Sequence, residues 1–349
     1  MTRTRSTAFT CGLAALAAVS FVPAGASAAM DFSGKTMTIV IPYGPGGTYD
    51  TYGQTFAKHL NKHIPGKPTI IVQHMPGAGG IKAMNWAYTV MPKDGLHVIT
   101  PLDNSVVNQL MRPEKVRYDA RNFTWIGSSN QTNIVLVVRS DTGVKTFEDM
   151  KGKKGMVAGA SGQASTGYLF PGLLRGLFGL DLKVVTGYSG SSKTIFSVER
   201  GETQMAAYNW LAWSSKVLHW FEGDKPFARA IIQIGVFRDP DLPKDVPMVS
   251  DLVTKDIDRK AVDFIKLLGL LGRGLTLPPG TPKETVATLR AAYDAMNADP
   301  AFEAELKKRG LRLIPSKGAE IQKLVNTAID GATPEVVKHA RHLIYGGES

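Results

Sequence analysis

Residues 36–50 read TMTIVI, PYGPGG and TYD: an apolar β-branched run, a glycine-rich turn and the start of a helical pattern. The first run predicts a buried strand at 36–41, and the apolar spacing beyond the turn predicts a helix at 50–63. Such turns lie at the carboxyl edge of a parallel sheet, where glycines expose backbone N–H groups and the helix N-terminus attracts anions. The alternative is that the glycines only permit a turn with positive φ. The candidate anion-binding loop here runs from Gly44 to Asp50 and includes Tyr49.

A second junction of the same kind follows one unit later. A predicted strand at 69–73 leads into Pro76-Gly77-Ala78-Gly79-Gly80 and then into a helix. Neither turn is a dinucleotide motif, because Tyr49 and Lys82 stand where its third glycine would be, and no Gly-Lys-Ser/Thr of a phosphate loop follows. We therefore expect no cofactor, and the turn from Gly77 to Gly80 is a second candidate anion-binding loop.

The rest of the chain also alternates strands with helices, which is typical of α/β proteins. Further strands are predicted at 96–100, 134–138, 154–158, 182–185 and 228–236, and helices at 169–177, 259–271, 281–298 and 318–342. Because no repeat and no low-complexity linker separates independent domains, we predict two lobes joined by crossing strands. Each lobe is expected to be a mainly parallel sheet flanked by helices, with the ligand cleft between the lobes. The predicted division is 29–129 and 237–349 for a discontinuous first lobe, and 130–236 for the second.

The predicted second lobe contains two further junctions, at residues 159–166 and 187–192, where glycine and serine follow a predicted strand. Ser161 and Ser165 could alternatively serve only as helix N-caps. N–H-rich turns on both walls of a cleft could hold both ends of a diacid, or one acid and a neutral tail. The candidate loops on this wall run from Gly159 to Thr166 and from Gly187 to Ser192, and the second loop includes Tyr188.

The N-terminus predicts export to the periplasm. Arg3 and Arg5 precede an apolar run, and Ala26-Ser27-Ala28 provides the small residues of a cleavage site, so we interpret residues 1–28 as a signal peptide. A retained anchor is the alternative. The single cysteine, Cys11, falls inside this segment, so the predicted mature chain relies on neither disulfides nor thiolate metal sites.

Charge and motif content narrow the function class. The net charge of +11 favours an anionic partner, but the basic residues are scattered and not interleaved with aromatics, so we expect no nucleic acid partner. No Gly-x-Ser-x-Gly elbow occurs, and the pairs His59/His63 and His339/His342 lack a third zinc ligand. We predict no metal and no catalytic residues; an exported enzyme that acts on a small acid is the less favoured alternative.

The glycine turns, in this order and at these intervals, resemble those of the receptors of tripartite tricarboxylate transporters, also called the Bug family. Three motifs carry the resemblance, Pro42 to Asp50, Pro76 to Gly80 and Tyr188 to Ser191, and it spans about 39–344. It implies a monomeric, two-lobed periplasmic-binding fold of type II that closes on a carboxylate and delivers it to a large and a small membrane subunit. Presentation to a sensor kinase is the alternative. The resemblance implies ligand contacts from Gly46, Gly47, Thr48, Gly79, Ser161, Ser165, Gly190 and Ser191.

The chain departs from the family at one position in the second lobe. Many members carry Asp-Asn there, whereas this chain has Tyr208-Asn209-Trp210, with Trp213 close by. We therefore include Tyr208 and Asn209 among the candidate ligand residues. One hypothesis is a ligand with an aromatic or apolar body; the alternative is that Trp210 and Trp213 pack in the core.

Overall fold

Strands alternate with helices along the computed structural model, which describes residues 1–2, 30–131, 133–269 and 271–346. Except for its first two residues, the predicted signal peptide lies outside this part of the chain. One sheet contains β1 (Thr36–Ile41), β2 (Thr69–His74), β3 (His97–Ile99), β4 (Thr124–Ser128), β10 (Gly274–Leu277) and β11 (Ser316–Lys317). The other contains β5 (Ile134–Arg139), β6 (Met156–Ala160), β7 (Leu182–Thr186), β8 (Met205–Asn209) and β9 (Ala228–Ile234).

Helices cover both sheets. They are α1 (Thr48–Leu60), α2 (Ile81–Thr89), α3 (Ser105–Met111), α4 (Phe147–Gly152), α5 (Thr166–Phe178), α6 (Ser191–Glu199), α7 (Trp210–Val217), α8 (Val249–Leu252), α9 (Asp256–Ile265), α10 (Lys283–Asn297), α11 (Pro300–Lys308), α12 (Gly318–Asp330) and α13 (Pro334–Tyr345). In the described ranges, no helix combines the length and apolar character that crossing a bilayer requires.

The strand order is β11-β4-β10-β3-β1-β2 in the first sheet and β7-β6-β8-β5-β9 in the second. Pairing is parallel between β1 and both β2 and β3, and between β6 and both β7 and β8. It is antiparallel where β10 enters between β3 and β4, and where β5 enters between β8 and β9. The predicted two-lobed α/β fold is confirmed, with sheets that are mixed rather than mainly parallel.

The C-terminal helices correct two predictions. The single helix predicted at 318–342 is two helices, because α12 ends at Asp330 and α13 begins anew at Pro334, where Thr333 caps it by accepting from Val336 N. The apolar face of α13 packs with that of α9 in the core beneath the second sheet, although the prediction assigned 237–349 to the first lobe. Gly172 lets α5 approach α13 closely, since a Cβ there would lie 2.8 Å from Ile344 O.

The apolar face of α1 packs against the first sheet as its spacing predicts, but it also buries His59. The His59 ring lies 5.6 Å from that of Phe302 between centroids, and neither ring nitrogen has a hydrogen-bond partner among the described residues. Burial, reinforced by the charges of Lys62 and Lys58, lowers the pKa of His59. The folded chain therefore keeps this imidazole neutral at a pH where the unfolded chain already protonates it.

Folding stability should consequently fall as the pH drops below about 6.5, the pKa of histidine in an unfolded chain. We expect His59→Leu to reduce the difference between the melting temperatures at pH 7 and pH 5, because the substitution removes the group that takes up the proton on unfolding. Thermal unfolding at the two pH values measures this, with the exposed His219→Gln as the control. Equal acid sensitivity in wild type and His59→Leu would contradict the assignment.

Candidate functional site

A narrow cavity lies between the two sheets, at the edge where β1, β6 and β8 end and β10 begins. Its volume is about 20 Å³, room for about one water molecule, so it must expand to hold a small ligand. Its walls come from both lobes, and five of the eight lining residues were predicted from the sequence: Gly47, Thr48, Tyr49, Ser191 and Tyr208. The other three are Tyr43, Thr166 and Arg273.

Three helices begin at this cavity. The first residues of α1, α5 and α6 are Thr48, Thr166 and Ser191, and all three line it. In the part of the chain that the structure describes, no side chain caps any of these N-termini. Each N-terminus carries about half a positive charge and N–H groups without an intrahelical partner. One such end from the first lobe and two from the second therefore create a positive field inside the cavity.

The lobes touch directly around the cavity, so this is a closed form. Gly44 N donates to Ser189 O at 2.8 Å, and Ser192 Oγ donates to Gly46 O at 2.6 Å. On the opposite side, Asn104 Nδ2 donates to Ala164 O at 2.7 Å. These bonds join loops that belong to different sheets and tie the two walls together.

Arg273 is the one charged residue among the three lining residues that were not predicted from the sequence. Its side chain is buried beside β10, and its Nη1 donates to Asp103 Oδ2 at 2.8 Å. The guanidinium carbon lies 3.7 Å from the centroid of the Tyr49 ring, and Nη2 reaches Thr48 Oγ1 at 3.4 Å. Burial lowers the pKa of Arg273, but Tyr49 and Asp103 outweigh that effect and leave the pKa above its usual range. The cavity thus contains a permanently charged guanidinium.

Comparison with known proteins identifies the family. Residues 54–338 match the model of the tripartite tricarboxylate transporter family receptor. The chain belongs to this family. A relative, the UPF0065 protein in the tcbD-tcbE intergenic region of Pseudomonas sp. (strain P51), is 23% identical over 289 residues, which are 80% of this chain and 79% of the relative.

Two solved structures share the fold of the receptor. R. palustris Rpa4515 with adipate has a TM-score of 0.69 at 20% identity, covering 89% of this chain and 98% of its own. MatC (Rpa3494) from Rhodopseudomonas palustris with bound malate has a TM-score of 0.68 at 20% identity, covering 88% of this chain and 100% of its own. The family resemblance inferred from the glycine turns is confirmed, and with it the class of solute-binding receptors.

Several predicted site residues border the cavity of the receptor without lining it. Gly46 N–H donates to Asp50 Oδ2 at 2.7 Å, so Asp50 orders the turn, and the exposed Gly46 forms the rim. Gly79 has φ +67° and accepts from Tyr43 OH at 2.9 Å. Both glycines therefore shape the first-lobe wall through their backbone.

The second-lobe candidates that do not line the cavity stabilise the loops next to it. Ser165 Oγ donates to Gly162 O at 2.7 Å, and Asn209 Oδ1 accepts from Ala212 N at 2.9 Å as the cap of α7. Gly190 precedes α6 and faces Tyr43, while Tyr188 lies beside Gly159. The remaining candidate, Ser161, has a buried Oγ for which the described residues provide no partner within hydrogen-bond geometry.

The tyrosines of the cavity are neutral hydrogen-bonding groups. Burial raises the pKa of Tyr208 to about 12 and raises the pKa values of Tyr43 and Tyr49 above their usual range. Tyr208 OH shares a hydrogen bond of 2.8 Å with Thr194 Oγ1. Within residues 30–131, 133–269 and 271–346, no three His, Cys, Asp or Glu side chains form a group that could hold a metal ion.

Trp210 and Trp213 pack in the core of the second lobe and do not line the cavity. Trp213 is fully buried, and its ring centroid lies 6.3 Å from that of Trp220. Trp210 contacts Phe221 at 5.0 Å between centroids and borders a separate cavity of about 530 Å³ in this lobe. The core-packing interpretation of both tryptophans is therefore supported, and of the aromatic residues behind the hypothesis of an aromatic ligand body only Tyr208 lines the cavity.

Proposed function

We propose that the receptor captures a small carboxylate, with dicarboxylates as the favoured class, in the cavity between its lobes. The observation that carries this proposal is the convergence of three uncapped helix N-termini, from both lobes, on one buried space. Backbone N–H groups at helix ends bind anions because the groups are unpaired and the helix dipole adds positive charge. Adipate and malate in the two solved relatives support the same ligand class.

Capture proceeds by closure of the lobes. A ligand held by the first turn of α1 on one wall and by α5 and α6 on the other binds the closed state more tightly than the open state. Such a difference in affinity shifts the population toward the closed form. The direct bonds between the lobes, such as Gly44 N to Ser189 O, add to this closed state once it forms.

The last step of the proposed function is delivery of the carboxylate to a membrane transporter. Membership of the receptor family supports a periplasmic location and transfer of the bound carboxylate to the two membrane subunits of the transporter. The closed lobes would present the surface that those subunits bind, whereas the open form would not. The monomeric state is likewise part of this proposal, since receptors of this family are expected to act as single chains.

A thermal-shift series on the purified chain from residue 29 onward tests the proposal. Mono-, di- and tricarboxylates are compared with their neutral amides, and a carboxylate at 100 times its dissociation constant should add about 2.7 kcal/mol to the stability. We expect a dose-dependent rise in melting temperature for one class of acid, no rise for its amides, and recovery of the compound unchanged. Equal responses to acids and amides, or no response to any acid, would contradict the proposal; turnover of the compound would favour the enzyme alternative.

A further inference from the structure

We infer that Arg273 binds one carboxylate of the ligand through the edge of its guanidinium formed by Nε and Nη2. This inference rests on the proposed function, because it assigns the residue that recognises the carboxylate in the same cavity. It extends that function from a site made of helix ends to one with a fixed side-chain anchor in the first lobe.

The hydrogen bonds of Arg273 leave this edge unused. Nη1 donates to Asp103 Oδ2 at 2.8 Å and to Gly272 O at 3.2 Å, which accounts for both of its hydrogens. Nη2 has only the long contact of 3.4 Å to Thr48 Oγ1, and Nε has no partner in the part of the chain that the structure describes. A buried donor without a partner is costly, so a ligand that accepts from it gains the full value of that bond.

The Nη2 end of this edge borders the cavity. Thr48, the residue that Nη2 approaches, lines the cavity together with Arg273 itself. The parallel N–H groups of a guanidinium edge match the two oxygens of a carboxylate. A carboxylate placed there would also lie against the N-terminus of α1, which begins at Thr48. The second end of a dicarboxylate would then face the N-termini of α5 and α6 on the opposite wall.

The surroundings hold the guanidinium rigidly in this orientation. The face of Tyr49 lies 3.7 Å from its central carbon, Asp103 fixes Nη1, and Asn130 Oδ1 accepts from the backbone N–H of Arg273 at 2.9 Å. Because both members of the Arg273–Asp103 pair are nearly fully buried, the guanidinium is charge-balanced before the ligand enters. Recognition of the carboxylate is therefore a matter of directed hydrogen bonds rather than of net attraction.

Calorimetric titration of Arg273→Gln with formate, acetate, succinate, malate and adipate tests the inference. For each acid that binds the wild type, we expect about 100-fold weaker binding, the value of two charge-assisted hydrogen bonds. The preference for the acid over its primary amide should fall by the same factor, which a purely structural role would not produce. Arg139→Gln is the matched control, because Arg139 also pairs with an aspartate, Asp141, and covers an aromatic ring, but lies outside the cavity.

Arg273→Gln leaves the buried Asp103 without its charged partner, so two further variants separate that effect from the loss of ligand contact. The double variant Asp103→Asn with Arg273→Gln removes both charges and should show the same loss, while Arg273→Lys keeps the charge, loses the planar edge and should bind about 10-fold more weakly. Unchanged affinity and acid-over-amide preference in any folded variant of Arg273 would overturn the inference and leave the proposed function standing. If no acid binds the wild type, the proposed function fails and the inference fails with it.

Discussion

Alanine at position 162 is expected to weaken carboxylate binding about 100-fold while both lobes stay folded. A Cβ on Gly162 would lie 2.5 Å from Gly79 N and 3.1 Å from Ala78 C, which belong to the opposite lobe. These are backbone atoms in a tight turn, so they cannot yield as a flexible side chain would. Gly162 does not have a positive φ, so alanine strains the contact between the lobes and not its own loop.

The expected loss of affinity follows from the hydrogen bonds to the ligand that form only when the lobes close. A ligand that cannot draw the lobes together loses the N–H groups of the second-lobe helices, and two charge-assisted hydrogen bonds of about 1.5 kcal/mol each correspond to about 100-fold. Titration with the best acid of the thermal-shift series measures the loss, and small-angle scattering should show that the acid no longer compacts the variant. Gly152→Ala is the matched control, since a Cβ there meets no atom within 4 Å. Wild-type affinity in Gly162→Ala would show that binding does not need the closed contact.

Removing the Trp213 side chain is expected to lower the free energy of unfolding by about 3–5 kcal/mol, the usual cost of truncating a large aromatic in a core. Trp213 is fully buried between the rings of Tyr208 and Trp220, so Trp213→Ala leaves a cavity that the surrounding strands cannot close. Urea unfolding measures this loss. Phe196→Ala, at a site where the ring is 48% exposed, should change the stability by no more than about 0.5 kcal/mol.

A milder substitution of Trp213 distinguishes a packing role from a role in ligand contact. Trp213→Phe keeps an aromatic ring in the core, and we expect its affinity for the best acid to stay within about 3-fold of wild type, because Trp213 does not line the cavity between the lobes. A large loss of affinity in Trp213→Phe with unchanged stability would restore the hypothesis of an aromatic ligand body.

The first-lobe wall was predictable because its signals are local. A β-branched run, a turn with three glycines and a helical pattern stand next to one another at residues 36–60, and each has one dominant structural interpretation. Gly47, Thr48 and Tyr49 therefore lie where the sequence indicated, at the start of α1 on the cavity wall. The same reasoning located Ser191 at the start of α6.

Arg273 was missed because everything that gives it a role is distant in sequence. Asp103 is 170 residues away and Thr48 is 225 residues away, and only the antiparallel entry of β10 between β3 and β4 brings them together. A signal was nevertheless present: Arg273 is the single charged residue in the apolar and glycine-rich segment 267–277. An arginine in such a segment is buried only when it has a partner, which makes it a candidate for a site.

The placement of α13 could not be deduced for a different reason. Its apolar face predicts that it covers a sheet, but amphipathic spacing does not say which sheet. Packing decides the matter, since Gly172 and Gly176 of α5 provide the groove into which the last helix fits. The chain thus returns to the second lobe after the first lobe is complete.

The most direct test of the central claim is a crystal structure of the receptor with the carboxylate that stabilises it most. We expect the ligand to lie between Thr48, Ser191 and Arg273, with one carboxylate on the guanidinium edge and the Gly44–Ser189 bond between the lobes intact. A ligand bound in the separate cavity beside Trp210 and Phe221, with the space between the lobes unoccupied, would contradict this expectation.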